Sequence, residues 1–315
     1  MNLLARHVLV FLALLSTACV KDLLVDGQIQ STRQASSALD GIGDYELART
    51  AVRSGIAQFE GMHALAPRNA DALFLLTKSW ASYGFAFLED DLQAAQDAGD
   101  DARVEALRAS AHAAYDRAIG YGQDLLALRD GGFARSRTDA GTFSRWLADR
   151  FTRADDAPGL LWTGTAWLAR VNVMRGEDDG PAYIGEAWIG AALLARSLEL
   201  DPSVEHFAGL ATMAAYDSSN GLAPLARGKA KFEQVRARTH GQNLLALFLY
   251  ASTYACVKSD RRLYESLLTG VVRAPDASPE QSLENAIARR RALRWLGTKR
   301  AKDTCGIDAP AARQE

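Results

Sequence analysis

From Glu46 to Arg300 the chain carries no alternating, β-branched runs. Alanine and leucine dominate, and glycine and proline fall at punctuating positions. That pattern predicts an all-α fold. Asp201-Pro202 closes one helix. Ser278-Pro279-Glu280-Gln281 opens another, with serine at the cap, proline at the first helical position and glutamine three residues after the cap. Leu244 to Val257 is mostly apolar but holds Ser252, Thr253, Tyr250 and Tyr254. A bilayer needs about 20 apolar residues, so this stretch predicts a buried helix and not a membrane span.

The helices repeat in degenerate form. In a tetratricopeptide (TPR) unit the second helix places a small, a bulky and a small residue at spacings of four and three, so that the first helix can approach while a ring fills the gap. Gly55, Phe59, Met62 and Pro67 fit this spacing, as do Ala111, Tyr115 and Ala118. Gly190, Leu194, Ser197 and Pro202 fit it, and so do Gly228, Phe232 and Val235 with His240 in the proline position. A helical array of TPR-like pairs, α-solenoid-like and interrupted by insertions, is predicted over residues 46–300. Residues 301–315 read as a C-terminal tail.

The N-terminus has a different character. Arg6 and His7 precede an apolar run from Val8 to Leu15, and Ser16-Thr17-Ala18 leads into Cys19. A positive head, a short apolar run and small residues before the cut make a secretory signal. Cysteine just after the cut resembles a lipobox, with Ser16 where leucine is usual. Residues 1–18 are therefore expected to be a signal peptide and Cys19 the lipidation site. Val20 follows instead of Asp, which favours the periplasmic side of the outer membrane over the inner membrane. Residues 19–45 are polar and read as a flexible tether.

Composition narrows the function. The formal net charge of −2 argues against nucleic acid, which wants a basic face. Beyond Cys19 there are only Cys256 and Cys305. They could pair in an oxidising compartment, but two independent thiols, with Cys256 as a small core residue, is the plainer reading. The five histidines include no pair at the helical zinc-binding spacing. Glu89, Asp90 and Asp91 are consecutive and do not face one another on a helix. Glu177, Asp178 and Asp179 lack the spacing of a calcium loop. No nucleophile elbow or phosphate loop is present, so no enzyme, metal or cofactor is expected. Arg289, Arg290, Arg291, Arg294, Lys299 and Arg300 crowd one helix. They read as a solvated face or as the seat of an acidic partner.

What remains is aromatic. Trp162, Trp167, Trp188, Tyr216 and Tyr254 lie among dense small residues, including Gly164, Gly190 and Gly209. Small residues either bring helices together or leave an apolar cavity between them, and the five rings are the candidate lining of such a cavity.

Several of these segments together resemble a known family. Trp162-Thr-Gly164-Thr-Ala166-Trp167, then Leu198-Glu199-Leu200-Asp201-Pro202 with His206, Phe207 and Gly209, then Lys229-Ala-Lys-Phe232-Glu233, then Tyr254-Ala255, Asp260-Arg261 and Tyr264, and finally Asn285 to Ala292 with Trp295-Leu296 follow the order of motifs in the T component of TRAP transporters (TatT). The resemblance runs from about Trp162 to Leu296, and more loosely back to Glu46. It implies a TPR-like periplasmic lipoprotein, a homotrimer that binds the extracytoplasmic solute-binding (P) subunit of a TRAP transporter and binds or passes a hydrophobic small molecule. The alternative is a generic TPR lipoprotein that scaffolds envelope assembly with no transporter role. A lone ligand carrier is a third reading.

Overall fold

The computed structural model describes residues 23–221, 223–276 and 279–308; among them the chain is helical and contains no strand. In order the helices are α1 (residues 23–35), α2 (Tyr45–Leu65), α3 (Ala70–Tyr83), α4 (Glu89–Ala98), α5 (Asp101–Ala127), α6 (Phe133–Ser136), α7 (Ala140–Arg150) and α8 (Ala157–Met174). They continue as α9 (Gly180–Gly185), α10 (Ala187–Leu200), α11 (Val204–Ser219), α12 (Leu225–Arg238), α13 (Leu244–Tyr250), α14 (Arg261–Arg273), α15 (Ser282–Trp295) and α16 (Thr298–Cys305). Side chains that hold the first-turn amides start several of them: Asp44, Asn69, Asp100, Asp139, Asn243 and Asp260 each accept from the backbone three residues on. Short π-helical turns, Gly84–Leu88 and Ala251–Ala255, extend α3 and α13.

The repeat signatures mark packing faces. Phe59 and Met62 on α2, Ala111, Tyr115 and Ala118 on α5, Leu194 and Ser197 on α10, and Phe232 and Val235 on α12 are all buried. Each long helix packs on the next along the chain, α3 on α5, α5 on α8, α8 on α10, α10 on α11 and α11 on α12. This nearest-neighbour stacking is consistent with a TPR-like array.

Small residues here bring helices together. A Cβ added at Gly164 on α8 would sit 2.8 Å from the Gly190 carbonyl oxygen on α10, and one at Gly190 would sit 3.0 Å from the Gly164 carbonyl. Gly209 on α11 likewise leaves room for Leu161, whose Cδ1 would lie 2.9 Å from an added Cβ.

The array curls until its ends meet. The 3-10 turn Ser36–Gly41 contacts the turn Pro279–Gln281 and α15, and α15 also touches α2. The arginine-rich face of α15 and α16 takes up the acidic residues of α4. Arg290 and Arg294 both pair with Asp90, Arg291 with Glu89, and Arg300 with Asp97. Arg49 of α2 adds a pair to Asp91 at 2.8 Å. Thus the acidic partner of the arginine run lies within the same chain.

Three expectations change. Residues 23–41, read as tether, are helical; Ile29 is fully buried against Phe59, Met62, Ala72, Leu75 and Leu76. Ile29 and the partly buried Val25 are the apolar contacts of this helix, while Leu23 and Leu24 stay exposed, so its apolar positions do not mark one face in the hydropathy pattern. The tail is folded as far as Ile307, which is buried with Ala301 and Cys305. Cys256 and Cys305 are not independent thiols: they form a disulfide that closes a 49-residue separation and ties α16 to the π turn after α13. Cys19, the signal sequence and the Ser278 cap lie outside the described residues.

Candidate functional site

Among the described residues, the one run of consecutive non-glycine residues with positive φ follows the turn that ends α10. Asp201 accepts from the amide and hydroxyl of Ser203 at 2.9 and 2.7 Å, which folds the chain back. Glu205, His206 and Phe207 then take left-handed conformations in succession, with φ of 48°, 54° and 66°. For residues with a Cβ this costs about 1–2 kcal/mol each. A buried asparagine offsets part of it. Asn243 donates from Nδ2 to the His206 carbonyl at 2.9 Å while its Oδ1 caps α13 by accepting from Ala246 at 2.8 Å.

The turn aims Glu205 at two other helices. Lys78 Nζ on α3 donates to Glu205 Oε2 at 3.1 Å, and Trp162 Nε1 on α8 donates to Oε1 at 3.3 Å. Lys78 also lies 3.6 Å from Asp40 Oδ2 on the 3-10 turn, and 5.4 Å from the centre of the Trp162 ring. One turn further out, Arg33 of α1 lies over Phe74 and pairs with Asp71 at 3.7 Å. Glu284 of α15 completes the group, close enough for Asp40, Glu205 and Lys78 to act on it. Six elements, drawn from both ends and the middle of the chain, therefore converge on one half-buried ionic cluster.

Its electrostatics are unbalanced. Glu284 is pushed up to about 7, chiefly by burial and further by the negative charges of Asp40 and Glu205, with Lys78 opposing. Asp40 is also raised by burial, partly offset by Lys78. Burial disfavours the Lys78 ammonium, but Glu205 and Asp40 outweigh it and hold the lysine charged. Asp40, Glu205 and Glu284 lie around the single Lys78 ammonium, and Arg33 acts on Glu205 from further out. This arrangement suits ion recognition and conformational coupling between elements.

Of the five aromatic residues expected to line a cavity, Trp162, Trp167, Trp188 and Tyr216 belong to or pack against one hydrophobic cluster, and Tyr254 packs against another. Trp167 is 1% exposed in a solid block, with Phe133 at 6.0 Å between ring centres and Arg170 stacked at 5.0 Å. Trp188 presents its face or edge to Phe143 in the same block, at 5.7 Å. Trp162 is in the ionic cluster. Tyr216 is half-buried on α11. Tyr254 packs on Tyr250 at 5.5 Å in the C-terminal core. A groove between α12, α13 and α14, lined by Glu233, Arg236, His240, Leu244, Leu247 and Gly270, contains none of them.

Sequence reading missed Lys78, Glu205 and Glu284, and it left Arg33 and Asp40 inside the expected tether. Lys78 carried a signal, since it is the single cation in the apolar run from Ala72 to Ala81. Glu205 and Glu284 carried none, because their meaning depends on a backbone turn and on a contact made across the whole chain.

Residues 42–302 match the family model of the TRAP transporter T-component. The chain belongs to this family. The matched span takes in Lys78, Trp162, Glu205 and Glu284, while Arg33 and Asp40 precede it. As a T-component the protein has an accessory role in a TRAP transporter. A search of curated proteins gives no match to this T-component.

Proposed function

We propose that this T-component is a lipid-anchored docking module that presents its helical array to the solute-binding P subunit of its transporter. The family match carries the proposal. Two features support it. The array is closed on itself by the α4–α15 ion pairs, which gives a partner a fixed surface. The half-buried cluster of Asp40, Lys78 and Glu205 links the N-terminal turn to α3 and α11, which adds to that fixed shape. In this reading Cys19 carries the acyl chains, the protein sits on the periplasmic side of the outer membrane, and three copies associate. Any apolar ligand meets the half-buried rings of Trp162, Trp188, Tyr216 or Tyr254; Trp167 is too deeply packed to take part.

A pull-down of the full-length tagged protein from solubilised envelopes tests the docking role. Recovery of a solute-binding subunit is the expected result. Recovery of envelope-assembly proteins alone would replace it with the scaffold reading. In parallel, C19S is expected to move the protein from the membrane to the soluble periplasmic fraction; retention in the membrane overturns the anchor.

A further inference from the structure

We propose that the Asp40–Lys78–Glu205–Glu284 cluster makes the closure of the array proton-sensitive: loss of a proton there loosens the seam between the 3-10 turn Ser36–Gly41 and the start of α15. The seam is where the two ends of the chain meet, and the turn touches both Pro279–Gln281 and α15. Among the described residues no hydrogen bond or ion pair reaches the Glu284 carboxyl, although every other carboxylate of the cluster has the Lys78 ammonium within 3.6 Å. The charges that act on Glu284 come from the 3-10 turn (Asp40), from α3 (Lys78) and from α11 (Glu205). His206 acts on Asp40 and Arg33 on Glu205, one step away. On α15 itself Arg291 shares the face of Glu284, but it lies seven residues, about 10 Å, along the axis and is committed to Glu89.

The two halves of α15 therefore differ. Its C-terminal half is fixed to α4 by arginine–carboxylate pairs. Its first turn rests on apolar packing of Leu283 and on Asn285, which donates to Asp276, and it brings Glu284 toward two carboxylates with no ion pair of its own. An ionised Glu284 gains hydration when the seam opens, while the α4 pairs keep the rest of the helix in place. The opening is local, and the proton leaves to solvent. The raised affinity of Glu284 for its proton agrees with this geometry.

Linkage gives the direction. A carboxyl that titrates at its ordinary value in the open seam and near neutrality in the closed one makes opening rise on the order of tenfold per pH unit between about 5 and 7, then level off. Hydrogen exchange of the full-length protein, corrected for intrinsic amide rates, reads this in peptides covering 36–45 and 279–288, with 157–174 as the internal reference. The expected result is loss of seam protection from pH 5 to 7, no matching loss in the reference, and a flat response in E284Q. Seam protection that ignores pH, or that falls equally in E284Q, overturns the proposal. If E284Q does not fold, D40N provides the test. It withdraws one charge that raises Glu284, so the plateau must move to lower pH, and an unmoved plateau also overturns the proposal.

Discussion

Arg291 donates to Glu89 Oε2 at 3.1 Å across 202 residues of sequence, while Tyr115 donates to the other oxygen of the same carboxylate at 2.5 Å. Arg291 is 2% exposed, and its guanidinium also lies over the Phe85 ring at 4.2 Å. A buried pair contributes little net stability when formed, but removing one partner strands the other. R291M is expected to cost about 3–5 kcal/mol in urea unfolding. E89L/R291M, which removes both charges, is expected to recover much of that loss. A double variant no better than the single one would mean that Arg291 acts through packing alone.

The α8–α10 contact gives a second prediction. At Gly164 an added methyl meets the backbone carbonyl of Gly190 at 2.8 Å, and also Leu194 Cγ at 3.0 Å and Leu193 Cβ at 3.1 Å. Backbone cannot swing aside as a flexible side chain can, so the helices must separate. G164A is expected to cost about 1–3 kcal/mol. Gly61 on α2 is the control: an added Cβ meets nothing within 4 Å, and G61A is expected to stabilise by up to about 1 kcal/mol. Thermal unfolding of the two variants side by side separates the steric term from helix propensity.

These two contacts show where the sequence was readable. Phe59, Tyr115, Leu194 and Phe232 could be placed on buried faces because the 3.6-residue turn is a local property, fixed by neighbours three and four residues away. Gly164 and Gly190 announced close packing or a cavity without deciding which, because the choice depends on where the facing helix crosses. The arginines of α15 invited an acidic partner, and Glu89, Asp90 and Asp91 were set aside as residues that do not face one another. Both statements were correct along one helix; the α4–α15 pairing is set by how far the whole array curls. The turn at Glu205, His206 and Phe207 left no trace, since none is a glycine and the hydrogen bond that supports it comes from Asn243, 37 residues away.

The Cys256–Cys305 bond supplies a third prediction. It ties α16 to the C-terminal core, and α16 carries Arg300, which pairs with Asp97 at 2.8 Å and donates to the Gln93 carbonyl at 2.9 Å. Closing a loop of that length restricts the unfolded chain by about 4 kcal/mol. C256A/C305A is expected to unfold at lower urea by roughly that amount and to expose α16 to proteolysis before α8. The same loss on adding reductant to the native protein, and none in the double variant, would tie the effect to the bond itself.

The last prediction concerns global stability and pH. Glu284 has its pKa raised from 4.5 to about 7, with burial as the first cause. Below the lower value both folded and unfolded chains carry the proton, and the site costs nothing. As pH rises through 4.5 the unfolded chain ionises while the folded one does not, so stability falls until the folded group ionises near 7, and the penalty is constant beyond. The shift sets a ceiling of about 3 kcal/mol, reduced by whatever solvent reaches the half-buried carboxyl. Asp90 behaves in the opposite sense. Burial raises it, but Arg290, Arg294 and Arg291 more than reverse the effect, so it stabilises the fold above its unfolded value of 3.8 and loses that contribution as pH falls below it. E284Q is therefore expected to match the wild type in urea unfolding at pH 4 and to exceed it at pH 7.5, by no more than the ceiling. R290M/R294M is expected to weaken the protein most at pH 7.5, with the gap narrowing as Asp90 is protonated below pH 4. An E284Q gain that is equal at the two pH values would point to better packing by glutamine and would leave the ionisation of Glu284 without a part in stability.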